Sequence, residues 1–295
     1  MNKGTYSRPV SFLICFLVYV VAFAIADGFV FYFEERIDRL WVIFWADVVA
    51  TVLVFTFSVG FRNSSLYDPY WSVAPPLIAV FWLVTGTISL TGYLMLITIL
   101  FWSVRLTFNW CRGWRGLSHE DWRYIMLREK NPVLYPLINL TGIHLFPTIM
   151  VFLGMLPVYV VTTIDTGVSV HNPLLVIGLF ITFASTIIAL IADEQMRQFR
   201  NQAKKDEYIK TGLWKYSRHP NYFGEISFWF GLWVMQMAVA PQFWWTIIGF
   251  ISMTLMFLLA SIPMMEAKNR KSKTGYDNYM NQVSRLIPWP TKKDF

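Results

Sequence analysis

Charge is scarce in this chain, and cysteine is scarcer. Of 295 residues only 15% are charged, against 56% hydrophobic and 18% aromatic. A soluble domain carries roughly a quarter charged residues. The composition, with a mean hydropathy of +0.45, therefore excludes an ordinary soluble enzyme and describes a polytopic membrane protein. Two cysteines, Cys15 and Cys111, support neither a disulfide framework nor a cysteine-rich metal site. HExxH spacing is missing, as are GxSxG, a Walker lysine loop and GxGxxG. A zinc-helix enzyme, an α/β-hydrolase and a Rossmann or P-loop nucleotide domain are thereby excluded. No connection is long enough to build its own core, so one membrane-embedded domain is expected.

The net charge of +7 lies in connections between apolar runs, which argues against nucleic acid as a partner. Lys3 and Arg8 precede the run Val10–Phe33 in the manner of a signal peptide. That run is too long for a signal h-region and no small-residue cleavage site follows it, so it reads as a first helix.

A helical span needs about 20 apolar residues. Eight segments qualify: Val10–Phe33, Leu40–Phe61, Trp71–Leu90, Thr91–Trp110, Leu137–Thr163, Pro173–Ala192, Asn221–Ala240 and Phe243–Ala267. The expected fold is an all-α bundle of about eight transmembrane helices, with residues 1–62 as an N-terminal two-span segment. All but three of the 25 basic residues then fall on the N-terminal side, Lys3, Lys205, Lys292 and Lys293 among them; Arg36 and Arg39 lie opposite and Arg105 lies within a span. The positive-inside rule puts both termini in the cytosol, and a bacterial inner membrane is the expected location.

Polar residues recur at helical spacing where spans meet the cytosol. Arg105, Asn109 and Arg112 stand at i, i+4, i+7, as do Asp193, Arg197 and Arg200, and Glu266, Arg270 and Lys273. Residues so spaced share a helix face. Asn221 and Glu225, with Tyr222 beside them, carry polar groups into the seventh span. These stripes are expected to converge on a pocket at the cytosolic mouth, where arginine suits a phosphate-bearing ligand. Topology alone also demands basic residues there, and Asp193 with Arg197 is also a plain i,i+4 ion pair. It is Asn221 and Glu225 inside a span that favour a site. Asp27 and Asp47 lie within the first two spans, either paired in the bundle or lining a cavity, and His144 reads as a bundle residue. Asn63–Ser72 holds Tyr67, Asp68 and Tyr70, which is ordinary turn chemistry or an acid with phenols at the same cytosolic face.

The string Ser217-Arg218-His219-Pro220-Asn221-Tyr222-Phe223-Gly224-Glu225 resembles the signature of membrane steroid and sterol reductases. Asp193 to Arg200, and the closing Glu266, Gly275-Tyr276, Tyr279, Arg285 and Ile287-Pro288, are similar to their flanking patterns. The chain most resembles the bacterial DUF1295 branch of the steroid 5-alpha-reductase-like group, from about Asn63 to Pro290, which makes 63–295 a reductase-like membrane domain. The Arg-His-Pro-x-Tyr core is shared with isoprenylcysteine carboxyl methyltransferases, which bind S-adenosylmethionine.

The resemblance implies NADPH held within the bundle and hydride transfer to a carbon–carbon double bond conjugated to a carbonyl. It implies cofactor roles for Asp193, Arg200, Asn221, Glu225, Tyr279 and Arg285, and Arg105 matches a further arginine. With the polar stripes and the signature string, the expected cofactor set also takes in Asn109, Arg197, Arg218, His219, Tyr222, Glu266 and Tyr276. Where steroid reductases carry a Gln-Glu pair and a later Tyr to polarise the substrate carbonyl, this chain has Tyr67-Asp68 and then Trp102. An indole is no phenolic acid, so the catalytic role is expected of Tyr67 and Asp68. A lipophilic small molecule from the bilayer and membrane lipids are the expected partners; no protein partner is implied. Three readings remain open: an NADPH-dependent enone reductase, an S-adenosylmethionine-dependent methyltransferase, and a non-enzymatic lipid-binding or transport protein in which Asp27, Asp47 and His144 form a relay.

Overall fold

The computed structural model describes residues 6–164, 167–204 and 206–291. Lys3, Lys205, Lys292 and Lys293, used above to orient the chain, lie outside them. Among the described residues the regular elements are helices, joined by an isolated parallel bridge between Ser217 and Ser284. In chain order they are α1 (Arg8–Phe33), α2 (Arg39–Gly60), α3 (Tyr70–Thr85), α4 (Leu90–Gly113), α5 (Trp122–Lys130), α6 (Tyr135–Ile164), α7 (Pro173–Gln202), α8 (Pro220–Met237), α9 (Pro241–Ser272) and α10 (Tyr276–Gln282). Their starts follow from local chemistry. Asp38 caps α2 by accepting from Leu40 N at 2.8 Å. Asn172 caps α7 by accepting from Leu174 N at 2.9 Å, and Pro173 and Pro220 open α7 and α8 where no N–H is needed.

Each of the eight expected apolar segments contains a helix, the third ending at Thr85 and the seventh at Met237, but six helices are long and apolar enough to cross a membrane: α1, α2, α4, α6, α7 and α9. The other two fall short for separate reasons. α3 has only 16 residues, and α8 carries Asn221, Glu225 and Gln236 among its 18.

The chain packs as two compact units, one holding the chain to Gly86 with Trp102–Met155 and the other Thr87–Phe101 with everything from Leu156. In the first, α1 packs on α2, and the connection after α2 doubles back along it. Arg62, at φ 52°, makes the reversal. Asn63 N then donates to Ser58 O at 2.9 Å, and Tyr70, further along, reaches Asp47. This buried backbone, a single 3₁₀ turn over Ser64–Leu66, has its open groups met by side chains, as it must: Ser64 N by Glu120, Ser65 N by Asn63, and the Leu66 carbonyl by Tyr19. α3 then begins at Tyr70, within one residue of the expected start, and is short because it ends at Thr85, before Gly86.

In the second unit α7 and α8 approach through small residues, the usual device where lipid supplies no hydrophobic drive. Gly178, Thr182, Ser185 and Ala189 face Gly224 and Gly231. A Cβ on Gly224 would lie 2.5 Å from the Ser185 carbonyl oxygen, and one on Gly231 2.6 Å from Thr182 Cγ2. Gly224→Ala is therefore expected to destabilise the chain by about 1–3 kcal/mol. Gly60→Ala, with nothing within 4 Å of the new atom, should gain up to ~1 kcal/mol from helix propensity. Thermal unfolding of the two variants in detergent micelles checks the contrast.

Candidate functional site

The second unit gathers most of the expected cofactor residues, and it does so around the lead-in to α8. Leu213 N donates to Gln195 Oε1 at 3.0 Å and the Trp214 indole donates to Ala192 O at 3.1 Å, which pins the turn before Tyr216 to the end of α7. Gly212, at φ 60°, leaves room for the Gln195 side chain. The closing segment of the chain then runs alongside. Arg218 N donates to Ser284 O at 2.9 Å, Ser217 Oγ to Leu286 O at 2.7 Å, and Trp289 N to Tyr216 O at 3.0 Å.

Glu266 lies at the centre of this assembly. Its Oε1 forms an ion pair with Arg218, Nε lying 2.9 Å away, and lies 3.3 Å from His219 Nε2, and its Oε2 lies 3.9 Å from Arg285 Nε. Arg218 also donates to the Met280 carbonyl, and Arg285 to Leu258 O at 3.1 Å. That last carbonyl is free because α9 widens to a π-turn over Phe257–Ser261, where Ile262 N bonds to Phe257 O instead. Tyr276 meets Tyr208 edge to face and Tyr279 lies tilted against it, and Tyr279 donates to Trp214 O at 2.7 Å. Burial pushes both phenols above their usual range. Arg218, His219, Glu266, Tyr276, Tyr279 and Arg285 thus form a brace that ties α8, α9, α10 and the closing segment together.

A second group lies on α7 and α8. Asn221 Nδ2 donates to Asp193 Oδ1 at 3.2 Å. Tyr222 stacks on His219 with ring centres 5.3 Å apart and leans on Phe257. Glu225, one turn beyond Asn221, is buried. Asp193 is not held by Arg197 as the i,i+4 spacing suggested; Arg197 pairs with Glu194 at 2.5 Å. Arg200 is exposed.

The first unit holds the remaining candidates. Arg105 is buried, and Asn109 Oδ1 accepts from Arg112 at 3.4 Å. Asp68 accepts from Tyr124 at 2.6 Å. Burial pushes its carboxyl up to about 6, against the pull of Arg123 and the Tyr124 hydrogen bond. Tyr67 is bonded to Thr148 at 2.8 Å. Asp47 is buried and bonded to Tyr70, whereas Asp27 is exposed. The sequence reading missed Glu120, buried and bonded to both Ser64 N and Arg128; it looks like any charged loop residue. It also missed an apolar cavity of about 380 Å³ whose walls include Phe12, Tyr19, Phe23, Val73 and Trp110. No group of three metal-ligating side chains occurs among the described residues.

Two outcomes follow from the brace. Glu266→Ala leaves Arg218 buried without its carboxylate, which is expected to cost about 3–5 kcal/mol and to make the closing segment sensitive to trypsin at Arg285. His219 is held below the ordinary imidazole range, first by burial and then by Arg218 and Arg285, against the pull of Glu266. The folded chain therefore binds that proton less readily than the unfolded chain. Stability is retained above about pH 6.5 and falls as the pH drops below it, by at most about 1.4 kcal/mol per unit from this group. His219→Gln should flatten that part of a thermal-unfolding profile.

No solved structure matches the chain. An uncharacterized protein of Schizosaccharomyces pombe is 25% identical over 261 residues, covering 78% of this chain and 74% of that one. Residues 29–283 match the family described as Protein of unknown function (DUF1295), and the chain belongs to that family.

Proposed function

We propose that this chain is an NADPH-dependent reductase of a lipophilic enone, crossing the membrane about eight times with both termini in the cytosol. The observation that carries the reading is the state of Asn221. Its Nδ2 donates to Asp193, and a carboxylate cannot donate in return, so the orientation of the amide is set. The Oδ1 atom is then left buried without a partner, and a buried acceptor of this kind is costly unless a ligand completes it. An N–H donor fits there, and the carboxamide of a nicotinamide offers one. Glu225, on the same face one turn later, adds a second acceptor.

The basic end of α7, with Arg200 exposed, suits the phosphates of such a ligand. When bound, reduced nicotinamide supplies a hydride; the residues of α7 and α8 bind and orient the group that carries it. The apolar cavity of the first unit suits a hydrocarbon-rich molecule.

Thermal-shift and fluorescence titrations of the purified chain with NADPH, NADH and S-adenosylmethionine test the reading. NADPH is expected to stabilise the protein by about 2.7 kcal/mol at a hundredfold excess over its dissociation constant. Asn221→Ala and Glu225→Gln should each weaken that binding about tenfold, the loss of roughly one hydrogen bond. A folded sample that is not stabilised by NADPH, or that responds to S-adenosylmethionine alone, would falsify it.

A further inference from the structure

The apolar cavity of the first unit is a groove along α1. Phe12, Phe16, Tyr19 and Phe23 line it, and their spacing puts them on one face of the helix. From Phe12 to Phe23 that face runs about 16 Å, close to the hydrocarbon depth of a single leaflet, about 15 Å. The volume of about 380 Å³ spread over that length leaves a section of about 24 Å². That is room for one hydrocarbon chain and not for two side by side. Phe16 and Val20 in its wall are exposed, so the groove lies on the surface of its unit, where a membrane protein meets lipid.

The hydroxyls of its walls are already engaged. Tyr19 donates to the Leu66 carbonyl at 2.8 Å, and the Thr107 hydroxyl lies 2.8 Å from that of Ser72. A polar molecule gains little along such walls, whereas a hydrocarbon chain gives up nothing to enter. One end of the groove differs. α1 is long and apolar enough to cross a membrane, so its first turn lies at headgroup level. Arg8 stands there, about 6 Å before Phe12 along the helix, with its guanidinium 5.6 Å from the centre of the Phe12 ring. Its Nη2 donates to Cys111 O at 2.8 Å and to Arg112 O at 3.3 Å. These are neutral carbonyls, which hold the guanidinium in place without neutralising it. Trp110 meets Phe12 at the same end, ring centres 5.7 Å apart, and its indole N–H is buried without a hydrogen bond.

We propose that this groove binds one anionic phospholipid from the leaflet on the side of the α1 N-terminus, with an acyl chain along Phe12–Phe23 and the phosphate at Arg8. The parts fall at matching levels. A guanidinium suits phosphate oxygens, and the ester carbonyl below the phosphate is the kind of acceptor that the Trp110 N–H lacks. A free fatty acid has one polar group and cannot serve both levels. A zwitterionic lipid brings its own cation to the level of Arg8 and gains less from it.

The walls come from three helices. α1 supplies one side, Val73 of α3 and Trp110 of α4 the other. A lipid seated between them links the start of α1 to the end of α4, which Arg8 already ties together, and stabilises the unit in proportion to its occupancy. The site does not rest on the reductase reading, since it needs no nucleotide and no residue of α7 or α8.

Native mass spectrometry of the full chain tests the proposal. The protein is stripped of lipid in detergent and titrated, without any nucleotide, with phosphatidylglycerol, phosphatidylcholine or a free fatty acid of equal chain length. One phosphatidylglycerol should bind saturably, at least about fivefold tighter than phosphatidylcholine, as for one basic residue at the headgroup. Arg8→Gln should lower that preference about fivefold and leave phosphatidylcholine binding unchanged. Val73→Trp fills the groove and should weaken both lipids at least about tenfold. Val20→Trp, at an exposed position in the same wall, replaces it should Val73→Trp fail to fold. No saturable one-to-one binding, a preference that survives Arg8→Gln, or wild-type binding in a folded groove-filled variant overturns the site. Binding of the fatty acid where phosphatidylglycerol does not bind also overturns it, and assigns the groove to a free acid. Failure of NADPH to bind while the lipid behaves as described removes the reductase reading and leaves the lipid site standing.

Discussion

Polar groups within an apolar bundle have no water to fall back on, so each must find its partner in the protein. Much of this molecule is arranged by that requirement. The connection after α2 is free to lie buried because Glu120, Asn63 and Tyr19 meet its backbone groups. The π-turn of α9 releases a carbonyl that Arg285 takes up. Glu266 is tolerated because it has three cationic or imidazole neighbours, and two of them, Arg218 and His219, are buried because they have Glu266. The Oδ1 of Asn221 is one of ten buried side-chain atoms among the described residues left without such a hydrogen bond, and it lies within a string that the sequence had already marked.

The helices were legible because apolar runs of about 20 residues have few other uses, and every expected run contains a helix. Their qualification as spans was less legible. α3 ends at Thr85, short of the expected Leu90, and nothing in Asn63–Tyr70 distinguishes the buried path before it from an ordinary surface turn. The pairing of α7 with α8 was written in Gly178, Thr182, Ser185, Gly224 and Gly231, whose spacing gains meaning only when the two helices are set against each other.

The candidate site was legible in its membership more than in its roles. Helical spacing correctly grouped Asn221 with Glu225 on one face, yet it offered Arg197 as the partner of Asp193 when Asn221 and Glu194 were the groups that mattered. Residues far apart in the chain are the reason. Glu266 and Arg218 are 48 positions apart, and only the fold brings the carboxylate to the guanidinium at 2.9 Å. Tyr276 and Tyr279, matched to the family through the end of the chain, lie in an aromatic cluster whose hydroxyls are occupied by Asn269 and the Trp214 carbonyl.

The parallel pairing of Ser217 with Ser284 has a further consequence, one of timing. A chain emerging from the ribosome and entering the membrane delivers the Tyr216–Arg218 segment well before its partners at Ser284, Leu286 and Trp289 exist. Until those residues arrive, Arg218 lacks its contacts with Ser284 and Met280, and the lead-in to α8 is held from the α7 side through Gln195 and Ala192. The surroundings of the helix that carries Asn221 and Glu225 are therefore completed by residues that follow it far along the chain.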